Sequence, residues 1–157
     1  MENLVYVKVK EFKKKFLFTI AWRIKRHCKI AEKHLNKDEK VLYAFVGQKN
    51  DVWYNIFLTA VFVITNKRLI VATDRVLYGY FFNSITPDMF NDLKVTAGLI
   101  FGKVEIDTVK EYIVVTNVSK KALRDIETNV TEYMMREKKK YLRAQAAQLA
   151  SKEQANS

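Results

Sequence analysis

Two histidines and one cysteine are the first side chains to test for metal or nucleophilic chemistry. His27 and His34 are seven residues apart in a helix-type pattern, and Cys28 directly follows His27. On a helix this spacing separates the two rings by roughly 10 Å, which is too far for one metal ion. Adjacent helix residues point about 100° apart, so His27 cannot activate Cys28. We therefore expect packing histidines, a buried structural cysteine, no metal site and no other cofactor.

The motifs of common enzyme classes are also missing from the sequence. None of the four glycines belongs to a phosphate-binding loop or a dinucleotide fingerprint, and no serine sits in a Gly-flanked nucleophile turn. Glu105 and Asp107 alternate with Val104 and Ile106, which places the two carboxylates on the exposed face of a strand. The sequence predicts a protein that is not an enzyme, with no catalytic residues and no small-molecule substrate.

The third candidate is a mixture of aromatic and basic side chains near the N-terminus. Residues 8–35 have helical periodicity, with an apolar side made of Phe12, Phe16, Leu17, Ile20, Ile24, Cys28, Ala31 and Leu35. Two rings and several cations fall on the opposite side: Lys14, Lys15, Phe18, Trp22, Lys25, Arg26 and Lys29. Such a set can insert rings at a lipid interface while its cations pair with anionic headgroups. It can also lie under a protein partner or a second copy, and we favour that interpretation over direct membrane contact.

The charge distribution supports an anionic partner. Residues 1–40 hold 12 Lys/Arg and 5 Asp/Glu, residues 41–118 hold 7 of each, and residues 119–157 hold 9 and 5. Two basic ends therefore flank a neutral centre, a pattern that favours membrane lipid, nucleic acid or acidic protein, although it also serves solubility. Nucleic acid ranks third, because the centre is neutral and no nucleic-acid-binding motif is present.

The centre of the chain has the pattern of a β-domain. Seven strands are predicted, at Val41–Val46, Phe57–Ile64, Leu69–Thr73, Val76–Phe82, Leu93–Thr96, Leu99–Asp107 and Glu111–Val118. Ser119 has the position of a helix N-cap, and a helix is predicted from Lys120 to about Arg143. With one cysteine, no signal peptide and no apolar run longer than nine residues, the sequence predicts a cytoplasmic protein. A peripheral position at the inner face of the membrane is compatible with it.

The residues of this β-region resemble a known family. Phe62-Val63-Ile64-Thr65-Asn66-Lys67-Arg68-Leu69-Ile70-Val71 resembles the "T-N-x-R-L" hairpin of bacterial PH-like domains, especially the YokE-like group, and is similar to the related GRAM hairpin. Gly98–Ile106 resembles the entry into the sixth strand of that family. Tyr112–Val118 with Lys120-Lys121-Ala122 resembles its last strand and the start of its helix. The resemblance covers about residues 40–140 and implies a binding or scaffold module.

One departure from related lipid-binding domains concerns the first strand–strand loop. PH domains that bind phosphoinositides place several Lys and Arg residues there, whereas the loop from Gly47 to Asn55 offers only Lys49, partly offset by Asp51. Capture of a phosphorylated headgroup needs more cations than this. We therefore expect no specific inositide binding through that loop.

Together these observations predict an α+β chain. It consists of a basic amphipathic helical extension (1–36), a PH-like, seven-stranded, partly open antiparallel barrel with a C-terminal helix (37–143), and a frayed or disordered tail (144–157). The predicted function is a non-catalytic binding or scaffold module for protein–protein interaction or self-association. The alternative is a peripheral membrane protein that binds anionic lipid through the N-terminal helix.

Overall fold

The computed structural model describes residues 4–50, 58–75 and 77–157. Asp51, Phe57 and Val76, which enter the predictions above, lie outside the described residues. Within this range the chain forms three α-helices, α1 (Leu4–Lys15), α2 (Ile24–Lys33) and α3 (Leu123–Ala155). Seven strands are β1 (Val41–Lys49), β2 (Thr59–Thr65), β3 (Leu69–Asp74), β4 (Tyr80–Ile85), β5 (Phe90–Ala97), β6 (Phe101–Thr108) and β7 (Tyr112–Ser119). Short 3₁₀ turns occupy Pro87–Met89 and Lys120–Ala122.

The strands form one antiparallel sheet in the order β4-β3-β2-β1-β7-β6-β5. Its two edge strands are consecutive in the chain, since only residues 86–89 separate Ile85 from Phe90. Those five residue steps span at most about 18 Å. Six strand spacings in a flat sheet would separate the two edges by roughly 29 Å. The sheet must therefore curl into a partly open barrel, which confirms the predicted fold class.

The helices α1 and α2 pack on the outer face of β1–β3. Phe12 of α1 contacts Tyr43 and Phe45, with ring centroids 6.4 and 6.1 Å apart, and Phe45 stacks on Phe62 of β2 at 4.7 Å. Every residue of β2 is buried. Since successive side chains of a strand point to opposite faces, one half of β2 packs under the helices and the other half fills the barrel. The N-terminal extension thus docks on its own barrel.

The helix α3 closes the barrel with its first three turns and then continues past it. Leu123, Ile126, Val130, Tyr133 and Met134 are its buried residues. At the start of the helix a glycine is required, because a Cβ on Gly102 would lie 2.5 Å from Leu123 Cδ1. The prediction that the helix ends near Arg143 is wrong, since it runs to Ala155. Ala, Gln and Lys are good helix formers and keep the segment helical without a cap. The division into 1–36, 37–143 and 144–157 stays a prediction.

Three further predictions need correction. Residues 8–35 are two helices rather than one, because the aromatic and β-branched residues between Phe16 and Arg23 bond to the sheet instead of continuing a helix. The strand predicted from residue 76 begins at Tyr80, after a turn with Gly79 at φ 60°. Ser119 makes no side-chain cap, since it lies within β7 and its N–H binds Thr19 Oγ1.

The Thr65–Arg68 hairpin is held by a buried ion pair. Arg68 binds Glu39 with two hydrogen bonds, Nε to Oε1 at 2.8 Å and Nη2 to Oε2 at 2.9 Å, and the Glu39 side chain is fully buried. Thr65 Oγ1 donates to the same carboxylate and accepts the N–H groups of Lys67 and Arg68, which fixes the turn. Arg68 also donates to the His34 carbonyl, so that the end of α2 is bound to the hairpin.

The hydrogen bonds decide the ionisation of Glu39. Burial on its own raises the pKa of this carboxyl group. The hydrogen bonds from Arg68, Thr65 and the Asn36 N–H outweigh burial and lower the pKa to about 2. The motif residues Thr65 and Arg68 therefore have a structural role.

We predict that Glu39→Gln lowers the free energy of unfolding by about 3–5 kcal/mol near neutral pH, because Arg68 then stays buried without its counter-charge. The matched control is Asp38→Asn, which removes the exposed Lys67–Asp38 pair (2.6 Å) and should leave the stability nearly unchanged. Urea unfolding of both variants measures the difference. Equal stability of the two would contradict the assignment.

The same pair predicts an acid dependence. The folded-state pKa of Glu39 lies below its ordinary value of 4.5, so its contribution to stability is complete above that pH and is lost as the pH falls toward about 2. Urea unfolding at a series of pH values should show this loss in the wild type and a smaller loss in Glu39→Gln. Parallel pH profiles would contradict it.

Candidate functional site

The segment between α1 and α2, residues 16–23, crosses the end of the sheet, and we call it the crossing loop. Its first contacts are with the last residues of β7. Thr19 is buried, and its Oγ1 accepts the Ser119 N–H at 2.9 Å. The Ile20 N–H donates to the Asn117 carbonyl at 2.9 Å, and Lys13 Nζ donates to the Thr19 carbonyl. The start of the loop is therefore bound to β7 and to α1.

The loop then crosses β1, β2 and β3 in their order in the sheet. On β1, Gln48 Nε2 donates to the Ile20 carbonyl at 2.8 Å. On β2, Thr59 Oγ1 accepts the Trp22 N–H at 3.0 Å. On β3, Asp74 Oδ2 lies 2.6 Å from Arg23 Nη2. Each of four neighbouring strands thus holds the loop, and its backbone is fixed to the barrel.

Left-handed backbone occurs both in the crossing loop and in β7, to which the loop is bound. Among the described non-glycine residues, Arg23 (φ 51°) and Asn117 (φ 58°) have positive φ. Asparagine accepts this conformation readily, whereas a long side chain such as arginine adopts it less often. Arg23 is the residue before α2, and its ion pair with Asp74 offsets the conformational cost. The backbone strain therefore lies mainly at Arg23, where the loop leaves the sheet and α2 begins.

Large apolar side chains project from this fixed backbone. Leu17, Phe18 and Trp22 are 76%, 64% and 52% exposed, whereas Phe16 beside them is buried. The expectation that Leu17 belongs to the buried face is wrong, because the helix ends before it. Isolated exposed apolar residues are common, but three within six residues form a patch that marks interaction surfaces. Phe18 and Trp22, singled out in the sequence, are the exposed aromatic residues of the loop.

The predicted cations lie on either side of the loop. Lys14 is exposed at the end of α1, and Lys25 and Lys29 are exposed on α2. Arg26 is exposed as well, with Nη1 4.0 Å from Asp74 Oδ2. Lys15 is directed elsewhere, since its Nζ pairs with Asp125 of α3 at 2.9 Å. Four of the five predicted cations are therefore exposed and close to the two rings in the chain, whereas Lys15 is paired with α3.

A neighbouring turn adds exposed residues that sequence reasoning missed. Leu77 and Tyr78, in the turn between β3 and β4, are 83% and 84% exposed. The base of this turn is tied to the crossing loop through Asp74, which binds Arg23 and donates its N–H to His27 Nδ1 at 2.8 Å. The sequence feature that points to this exposed turn is the pair of large apolar residues directly before Gly79, because turn positions are usually polar.

The histidines and the cysteine have packing roles. His27 is buried, and desolvation lowers its pKa, so that Nδ1 stays free to accept the Asp74 N–H. His34 stacks on Phe82 with ring centroids 4.2 Å apart. Cys28 is fully buried, and burial raises the pKa of its thiol to about 12. Among the described residues, no three His, Cys, Asp or Glu side chains converge as a metal site would require.

Lys49, the cation at the start of the loop between β1 and β2, is already paired with a carboxylate. Lys49 Nζ lies 3.6 Å from Glu111 Oε2 and 3.7 Å from the centroid of the Phe81 ring. Burial lowers the pKa of Lys49. The exposed cations beside the crossing loop are more accessible than Lys49. None of the described helices is long and apolar enough to span a bilayer.

Comparisons with known proteins concern mainly the barrel. The family model of the bacterial PH domain matches residues 35–132. A pleckstrin homology domain from Shewanella amazonensis SB2B is 15% identical, with a TM-score of 0.42, over 74% of this chain and 89% of that chain. A DUF1696 family protein with a pleckstrin-homology domain from Shewanella loihica PV-4 is 14% identical, with a TM-score of 0.45, over 73% and 92%. No curated protein matches the chain. The crossing loop precedes the matched residues.

We predict that the crossing loop contributes to stability through its backbone contacts and not through its exposed rings. Thr19→Val keeps the shape but leaves the buried Ser119 N–H without an acceptor, and should lower the free energy of unfolding by about 1–3 kcal/mol. Phe18→Ala, the control, should change it by less than about 0.5 kcal/mol because the ring is mostly exposed. Urea unfolding compares them. A larger loss in Phe18→Ala would show that the ring is packed in solution.

Proposed function

This chain belongs to the bacterial PH domain family, and on that premise we propose that it is a non-catalytic binding module whose binding surface is the crossing loop. The observation that carries the proposal is the exposure of Leu17, Phe18 and Trp22 on a backbone bound to four strands. A fixed backbone loses little conformational entropy when its side chains bind, so exposed rings on it are suited to recognition.

The partner that best fits this surface is an anionic membrane. Interfacial segments bury Trp, Phe and Leu at the boundary between headgroups and acyl chains, while nearby cations attract anionic lipids. Each Lys or Arg close to such a surface contributes about 1 kcal/mol. Lys14, Lys25, Arg26 and Lys29 supply these cations beside the loop. The chain would then be a peripheral protein at the inner face of the membrane.

The sequence alone favoured a protein partner or a second copy covering Phe18 and Trp22 over direct membrane contact. One structural observation supports the membrane instead. Phe12, Cys28 and Ala31 pack on the chain's own barrel, so that side needs no second copy. What remains exposed is a compact apolar projection with basic neighbours, which is the arrangement of interfacial membrane contacts.

A protein partner is the second candidate, and one observation favours it. A shallow depression of about 370 Å³ lies beside Trp22, lined by Tyr6, Ala21, Trp22, Arg23, Ile24, Lys25 and Arg26. Aromatic and arginine side chains around a depression are typical of residues that dominate protein interfaces. Vesicle binding separates the two candidates.

We predict that the protein binds vesicles containing anionic phospholipid and not neutral phosphatidylcholine vesicles, with affinity that falls as salt is raised. Phe18→Ala and Trp22→Ala should each weaken co-sedimentation by about tenfold, because each removes a ring that enters the interface. In a Trp53→Phe background, where Trp22 is the remaining tryptophan, its fluorescence should shift to the blue on binding.

The charge control compares two double variants of equal net charge. Lys25→Glu/Lys29→Glu should abolish vesicle binding, whereas Lys94→Glu/Lys140→Glu, on β5 and α3, should retain most of it. Equal losses would mean that only net charge matters. Absence of wild-type binding to any vesicle would reject the membrane proposal in favour of a protein partner.

A further inference from the structure

The second half of α3 lies beyond the barrel. From residue 139 to the end of the chain every residue is exposed, yet the helix continues to Ala155. This exposed part extends about 25 Å at 1.5 Å per residue. Its Ala, Gln and Leu residues favour helix, but helices in proteins derive most of their stability from packing of one face. An apolar face on this part therefore needs a partner.

That face exists, and it repeats every seven residues. Met135, Leu142 and Leu149 are 38%, 50% and 56% exposed. Leu142 lies about 160° around the helix from the buried Ile126, so the stripe faces away from the barrel. A spacing of seven residues supplies one of the two apolar positions that each heptad of a coiled coil uses. Ala146 lies on the same stripe and allows close approach of a second helix.

We propose that α3 pairs antiparallel with α3 of a second copy of this chain. Charge complementarity along α3 favours a second copy as the partner and an antiparallel direction. When Met135 of one copy faces Leu142 of the other, Arg124 at the start of the helix faces Glu153 near its end, and the two-fold axis repeats each contact. A parallel pair in register would place arginine against arginine and glutamate against glutamate, which opposes association.

The same register brings the two Lys139 side chains near the two-fold axis, where their charges repel. Lys138 adds its charge at a greater distance, because its Nζ donates to the Phe90 carbonyl of the barrel at 2.6 Å. The dimer is therefore a moderate one that depends on protein concentration. The stripe lies on the side of α3 that does not pack on the chain's own barrel. This surface is separate from the crossing loop and does not rest on the membrane proposal.

The first experiment is a charge-swap cycle on the full chain, measured by sedimentation equilibrium over a wide concentration range. R124E and E153R should each weaken dimerisation by about tenfold, and R124E/E153R should restore it. Within one chain these positions are roughly 44 Å apart along the helix, so restoration can arise only between copies. Additive losses in the double variant would overturn the antiparallel register.

The second experiment compares two charge insertions at exposed helix positions. Leu142→Lys should give a monomer, whereas Ala144→Lys, on the face away from the stripe, should leave the dimer unchanged. Both positions are exposed in the single chain, so circular dichroism should show both variants folded. Lys139→Leu should strengthen the dimer. A wild type that remains monomeric at the highest concentrations, or a dimer insensitive to Leu142→Lys, would overturn the proposal, and binding of this face to anionic vesicles instead would assign it to lipid.

Discussion

The bidentate Glu39–Arg68 pair is the interaction on which the arrangement of the helices depends. Its carboxylate is fully buried, and the guanidinium also binds the His34 carbonyl and Ser84 Oγ. The pair therefore joins the end of α2, the linker before β1, the β2–β3 hairpin and β4. A second arginine–carboxylate pair, Arg23–Asp74, holds the other end of α2. Both ends of this short helix are therefore fixed to strands of the barrel.

The fixed position of α2 explains why the crossing loop exposes apolar side chains. A loop between two mobile helices would cover its own apolar side chains, and Phe18 and Trp22 would be buried by collapse. Here Thr19, Ile20 and Trp22 have their backbone or hydroxyl groups bound to the sheet, while the rings of Phe18 and Trp22 stay exposed. Exposure of large apolar groups is costly in water. The network of hydrogen bonds supplies the stability that maintains it.

The fold was largely predictable from the sequence, whereas the site was predictable only in its residue types. Val, Ile and Phe runs, broken by short polar turns, indicated the strands, and the Thr65–Arg68 hairpin indicated the family. The interruption of the N-terminal helix was not predictable, because Phe16–Arg23 contains neither Pro nor Gly and its conformation is set by Ser119 and Asn117, about a hundred residues away. Periodicity likewise placed Leu17 inside, since it assumes a continuous helix. The exposed turn at Leu77 and Tyr78 was not predictable either, because its large apolar residues are typical of a strand.

The contact between Thr19 and Ser119 also has a consequence for biosynthesis. The two residues are 100 positions apart in the chain. At the usual rate of translation the crossing loop leaves the ribosome roughly 5–20 s before the strand that accepts it. During that interval Phe16, Phe18 and Trp22 have no barrel to pack on or beside. The crossing loop is thus made well before the strand that fixes it, and in this period its aromatic residues are exposed to aggregation or to chaperone binding.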